Sequence, residues 1–303
     1  MPPPVRRARS LLLLALRGNE LMRWESGRRS SNVEDRRGLS GGTMVGGGGI
    51  GMLLLVLLFS FVTGQNPLDL LQQVNTGAPP ADTGPAGPPP ADDPAAQMVS
   101  SVLADTEDTW TRIFAQNGRR YEEPKLVLFE RVVQSACGTA SAAVGPFYCP
   151  GDHKVYLDLS FFRELDQRFG APGDFAQAYV VAHEVGHHVQ TLLGLSNGVN
   201  QMRSRASEEQ ANALSVRQEL QADCYAGVWG RHAASRNVLE AGDVEEGLRA
   251  AAAIGDDRLQ KQSQGYVVPE SFTHGSSAQR QEWLMRGLKT GDLNQCDTFA
   301  RTN

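Results

Sequence analysis

The stretch His183-Glu184-Val185-Gly186-His187 constrains the fold of this chain more than any other. Residues four apart share a face when the backbone is helical, so two imidazoles at that spacing converge if the segment is a helix. Phe175, Tyr179, Ala182, Val189 and Leu192 recur around them at helical spacing, which predicts a helix packed on the core with the histidine pair facing a cleft. Asp174, after Pro172-Gly173 and with Gln177 three residues on, reads as a capping-box start, and Gly194 as the stop. A mid-helix glycine costs about 1 kcal/mol relative to alanine, so Gly186 implies that another helix or a strand approaches closely there.

Two imidazole nitrogens so placed can bind one zinc ion at about 2.0 Å. Glu184, next to the first histidine, can lean over that ion without binding it. The ordinary alternative is a partly exposed helix with a solvated histidine pair. A zinc site needs a third protein ligand, and Glu219 is the best candidate. Ser207 with Gln210 again resembles a capping box, and Ala211, Leu214, Leu220 and Val228 continue a helical pattern that puts Glu219 and Asp223 on one face. Glu219 would complete a His183, His187, Glu219 set with one position open to water. Asp223 would accept the outer N–H of a ligand histidine and fix its tautomer. The small, apolar residues Ala222, Cys224, Ala226 and Gly227 argue that this pair is buried, and a buried carboxylate needs a partner.

The rest of the chain divides by composition. Residues 1–43 are Arg-rich and read as a cytoplasmic segment, with Met22 as the preferred start and residues 1–21 untranslated; a weak targeting segment over 1–21 is the alternative. Met44 to Val62 carries no charge and is long enough for one membrane-spanning helix of about 20 residues, set here at 44–64; a buried core helix is the alternative. Arg23, Arg28, Arg29, Arg36 and Arg37 precede it, which predicts an N-terminus inside and the remainder outside. Residues 65–97 are rich in Pro, Gly and Ala and read as a disordered tether, leaving 98–303 as the folded domain. Within it, Met98–Asn117 reads as a helix, Lys125–Glu130 as a short buried strand, and Val144–Tyr148 with Val155–Leu159 as a hairpin around Pro150–His153. The four cysteines all follow the apolar run and form no Cys-x-x-Cys pair, which favours disulfides in an oxidising compartment. A net charge of −5, with the basic residues crowded near the N-terminus, excludes a nucleic-acid role.

Taken together, His183-Glu184-Val185-Gly186-His187-His188 followed by Glu219-x-x-x-Asp223 resembles the gluzincin group of zinc metallopeptidases. From Met22 to the C-terminus the chain resembles the neutral zinc metallopeptidase family of bacterial membrane-anchored proteins. That likeness rests on Met22-Arg23-Trp24, Asn32–Arg37, Gly145–Cys149, both helical motifs, and Phe272-Thr273-His274-Gly275-Ser276-Ser277 with Arg280. It implies an α+β fold: a mainly helical zincin-like domain with a small antiparallel sheet, preceded by one transmembrane helix. It implies a single-pass protein of the bacterial inner membrane, its N-terminus cytoplasmic and its catalytic domain extracytoplasmic. The expected activity is hydrolysis of peptide or protein substrates with one Zn2+, Glu184 being the general base.

The Thr273-His274 and Arg280 segment is similar to a Thr-His-Pro element followed by Arg in related membrane gluzincins, with Gly275 in place of the proline. His274 is accordingly a catalytic candidate, a donor to the oxyanion; the alternative is a loop histidine capping the next helix. His153, His188 and His232 read as surface residues. Among the three possible cysteine pairings, Cys137–Cys149 and Cys224–Cys296 are preferred. A strand near Gly145–Tyr148 could bind substrate by edge pairing. The rival function is an extracytoplasmic binding or chaperone-like protein that keeps zinc for structure alone, and a third is hydrolysis of a non-peptide amide.

Overall fold

In the computed structural model, residues 22–38 and 87–300 are described, and they form six short strands and eight α-helices. These are β1 (Val33–Asp35), α1 (Pro94–Gln116), β2 (Lys125–Leu128), β3 (Val132–Ser135), β4 (Gly138–Ser141), β5 (Phe147–Cys149) and β6 (Lys154–Leu157). Then follow α2 (Ser160–Gln167), α3 (Asp174–Leu192), α4 (Leu195–Arg203), α5 (Glu208–Ser235), α6 (Asp243–Ala253), α7 (Asp256–Gln264) and α8 (Ser277–Thr290). The class is α+β and mainly helical.

The sheet differs from the small antiparallel one expected. Its order is β1-β2-β6-β5, with β1, β2 and β6 parallel and β5 antiparallel to β6. Leu126, Val127 and Leu128 are buried on both faces of β2, the pattern of an interior parallel strand. The long connection from β1 to β2, of which α1 is the described part, lets these strands run the same way. The β5–β6 hairpin forms around Pro150–His153 as the turn residues predict, and leaves β5 at the edge of the sheet. A separate hairpin, β3–β4, was not expected from the sequence.

The N-terminal piece is a second correction. Residues 22–37 do not form a separate segment but are built into the domain, whose boundary is therefore not at Met98. Strand β1 pairs with β2, Arg23 forms an ion pair with Glu240, and Met22 is buried. The carboxylate of Glu107 on α1 is buried and satisfied by this piece: Arg28 Nη2 donates at 2.9 Å, Ser30 Oγ at 2.5 Å and Asn32 Nδ2 at 2.9 Å. Arg36 and Arg37, expected to mark the inner side of a membrane, instead pair with Glu34, Asp35 and Asp93. The expected tether also ends early. Gly87 bridges to Asp35, and Asp93 caps α1 by accepting from Ala96 N–H, with Pro94 in the first turn where its missing N–H costs nothing.

The expected transmembrane run 44–64 and residues 1–21 lie outside the described residues. Among the described residues, no helix is long and apolar enough to cross a membrane.

Helix α3 occupies the centre, against α5, α6 and α1 on its helical sides and β5 and β6 on the other. The close approach that Gly186 implies is made by α5: a Cβ there would lie 2.9 Å from Ala222 O. Gly227 and Gly287 allow α5 and α8 to meet as tightly, since a Cβ on Gly287 would lie 2.0 Å from Cys224 O. Phe175 stacks on Trp229 where α3 crosses α5. Both preferred disulfides are present, Cys137–Cys149 and Cys224–Cys296. The first staples the β3–β4 turn to β5. The second pins the C-terminal segment to α5.

Candidate metal centre

Helical spacing brings His183 and His187 to one face of α3, and the crossing of α5 at Ala222 sets Glu219 opposite them. His183 Nε2 lies 3.1 Å from Glu219 Oε2, and His187 Nε2 lies 3.4 Å from Glu219 Oε1. The donor atoms of all three residues fall within 4.8 Å of one another. Nitrogen and oxygen donors about 2.1 Å from one tetrahedral zinc are about 3.4 Å apart, so the set fits that ion.

Each ring is held so that its Nε2 faces Glu219. His183 Nδ1 donates to Asp223 Oδ1 at 2.8 Å. His187 Nδ1 meets Gln190 Oε1 at 2.9 Å, while Gln190 Nε2 donates to Gln218 O at 2.7 Å and to Gln221 Oε1 at 3.0 Å. The two acceptors on the amide nitrogen fix the oxygen toward His187, and so fix its tautomer. Asp223 is fully buried and takes two further partners: Tyr179 Oη donates at 2.5 Å, and Arg280 donates through Nε and Nη2 at 2.9 and 3.0 Å.

The charges follow from these contacts. Burial would raise Asp223, but Arg280 and His183 hold its carboxyl at about 2. Burial would likewise lower His183, yet the Asp223 carboxylate and Glu219 raise it to about 10 when no metal is bound. Glu219, against burial, is pulled well below the usual carboxylate range by His187 and His183. Glu184 moves the other way: burial raises it, and the two histidines offset this only in part. It is the one carboxylate of the group whose affinity for protons is raised, the direction a general base needs.

Residues 22–299 match the family described as "Putative neutral zinc metallopeptidase". The chain belongs to this family. It is 50% identical to the uncharacterized protein YpfJ of Escherichia coli K12 over 289 residues, covering 93% of this chain and 100% of that one. It is 48% identical to the uncharacterized protein Rv2575 of Mycobacterium tuberculosis over 191 residues, covering 59% of this chain and 64% of that one. No solved structure matches the chain.

The His183, His187 and Glu219 set opens into a cleft of about 780 Å³. Edge strand β5 and the preceding Gly145 and Pro146 form one wall, and His274 belongs to the lining. The half-exposed ring of His274 is tethered through Nδ1, 3.2 Å from Asp256 Oδ1 and 3.0 Å from Thr273 Oγ1. The bond to Asp256 raises its pKa. Gly275 adopts φ +95° there, a left-handed conformation closed to the proline of the related element.

His188 is a correction. It is fully buried, because its place on α3 turns it toward the sheet, away from His187. Its Nε2 donates to Glu122 O at 2.6 Å and its Nδ1 accepts from Tyr148 Oη at 3.0 Å, so it ties β5 to α3. Burial lowers it to about 4 and keeps it neutral. His153, half-buried, packs edge-on against it, and His232 is half-buried near Gly291 O. Sequence reasoning assigned no role to Tyr179, Gln190 and the guanidinium of Arg280. The first two carry a usable signal, lying four before His183 and three after His187 on the same helix. Arg280 is singled out by the resemblance alone, because α8 reaches Asp223 only through the tertiary fold.

Proposed function

We propose that this member of the zinc metallopeptidase family is a zinc-dependent metalloendopeptidase. The observation that carries the reading is Glu184: a buried carboxylate beside the His183, His187, Glu219 set but not part of it, facing the same cleft. A zinc kept for structure alone would close all four positions and needs no such neighbour.

Zinc bound by His183, His187 and Glu219 would supply a water of lowered pKa and polarise a peptide carbonyl. Glu184 is placed to take a proton from water in the cleft and to hand it to the leaving amine. Asp223, Tyr179 and Arg280 hold His183 in the Nδ1–H tautomer, and Gln190 does the same for His187. Edge strand β5 offers unpaired backbone groups to an extended peptide laid across the cleft. His274, tethered through Nδ1 to Asp256 and lining the cleft, would offer its Nε2–H to the carbonyl oxygen as negative charge gathers there.

The two disulfides support an extracytoplasmic domain, and the charge-free run 44–62 supports attachment to the bacterial inner membrane. Strands β1 and β2 share one sheet, which supports residues 22–37 lying on the same side as the domain, with the run 44–62 meeting the membrane without a single crossing between them.

The test uses the full chain in detergent, wild type and Glu184→Gln. Zinc content is measured together with cleavage of a mixed peptide library. Retained zinc with cleavage reduced about 10²–10⁴-fold supports the mechanism. An inactive wild type with full zinc favours the binding-protein reading.

A further inference from the structure

At the other end of the zinc-ligand helix the structure departs from the expected capping box. Gly173, at φ +126°, takes the N-cap position and Asp174 is the first helical residue. A Cβ on Gly173 would lie 2.0 Å from Glu246 Oε2, so the glycine lets the carboxylate of Glu246 lie against the start of α3. Asp243 opens α6 close by. Oxygens of Asp174, Asp243 and Glu246 all fall within 4.8 Å of one another.

Three carboxylates so close require something between them. Asp243 Oδ2 accepts from Glu240 N–H at 2.8 Å, and Glu246 Oε2 accepts from Phe175 N–H at 3.2 Å. Asp174 has no such relief. It is 9% exposed, and both its carboxylate oxygens are buried without a hydrogen-bond partner. A buried, unpaired carboxylate is among the most expensive groups a fold can hold, and is retained where a cation or a proton satisfies it. Burial first, and then repulsion from the neighbouring carboxylates, pushes both Asp174 and Asp243 up to about 6.

We propose that Asp174, Asp243 and Glu246 form a second metal site, for a calcium ion, which ties the start of the zinc-ligand helix to α6. An all-oxygen donor set selects a hard cation over zinc. The number of carboxylates selects among hard cations. Calcium takes six to eight oxygens in flexible geometry, whereas magnesium demands near-ideal octahedral geometry, keeps several waters and uses one or two carboxylates. Three converging carboxylates match calcium. Asp174 contributes two free oxygens, and solvent completes the shell on the half-buried Glu246 side. No residue is shared with the zinc set, so the site stands independently of the peptidase reading.

The experiment takes the full chain freed of metal on a chelating resin and reloaded with one equivalent of zinc. Calcium chloride is titrated calorimetrically, and melting is followed in calcium, in magnesium and in sodium chloride of matched ionic strength. The expected result is one calcium per chain and a Tm raised by roughly 5 °C at a hundredfold excess over Kd. Asp243→Asn and Glu246→Gln should each abolish the calcium heat while zinc content is unchanged. Two variants guard against one that fails to fold. Calcium heats and melting no different from the sodium control would overturn the proposal and leave protons as the stabilising partner. A magnesium response equal to that of calcium would overturn the calcium assignment.

Discussion

The two ends of helix α3 handle buried acid groups in opposite ways. Toward its C-terminal half, Asp223 lies in a network where each oxygen has donors, with Arg280 and His183 supplying positive charge, and its pKa falls to about 2. At its first residue, Asp174 faces two more carboxylates with both oxygens unpartnered, and its pKa rises to about 6. Burial opposes ionisation at both places. What differs is whether the fold itself provides the counter-charge. The chain completes the first network from its own residues and leaves the second for something from solvent.

The largest effect should come from removing the counter-charge at Asp223. Arg280→Met leaves that carboxylate buried with His183 as its remaining cation and should cost about 3–5 kcal/mol, read as a lower urea midpoint. Asp243→Asn, which removes a repulsive carboxylate from the other cluster, should leave the midpoint unchanged or raise it in calcium-free buffer. If both variants destabilised equally, the contrast between the clusters would be lost.

This contrast also marks where sequence ceases to be informative. His183, Glu184, His187, Glu219 and Asp223 were legible because each relation between them is local, one turn of helix apart, with a single tertiary step joining α3 to α5. The Ser207 capping box and the β5–β6 hairpin were legible for the same reason. Strand β1 was not: Val33-Glu34-Asp35 is three residues long and polar, and it pairs with residues far along the chain. Its opposite-signed neighbours Arg36 and Arg37 read as a topology signal when their partners lie on the same few residues and on Asp93. Asp174 misled for a subtler reason. Asp-x-x-Gln is a sound capping pattern, but the glycine before it can adopt a positive φ and took the cap position, freeing the aspartate for α6.

A middle-sized effect belongs to the metal-binding end alone. Gln190→Ala removes the acceptor for His187 Nδ1–H, loosening ring orientation without touching any ligand. Zinc affinity, measured by competition with a chromogenic chelator, should fall about 10-fold. Calcium binding at the helix start should not move. A parallel loss of both would mean that α3 unfolds as a unit, and that the two ends are not separate devices.

The smallest effect carries the sharpest sign. Asp174 and Asp243 have folded pKa values raised to about 6 from an ordinary 3.8. They release protons less readily when folded, so the calcium-free protein is favoured below about pH 4 and loses that advantage as pH rises through 6. Asp223 has the opposite linkage: its depressed pKa stabilises the fold above about pH 4, and this is lost as pH falls toward 2. Between pH 4 and 7 the stability of calcium-free wild type should therefore slope downward from this cluster, and Asp243→Asn should flatten the slope. Calcium should flatten it too, because a bound cation replaces the protons. Denaturant midpoints across that range, for both proteins with and without calcium and at fixed zinc, isolate the cluster, since zinc-ligand protonation enters all four curves alike. Four parallel curves would show that the helix start carries no unmet charge.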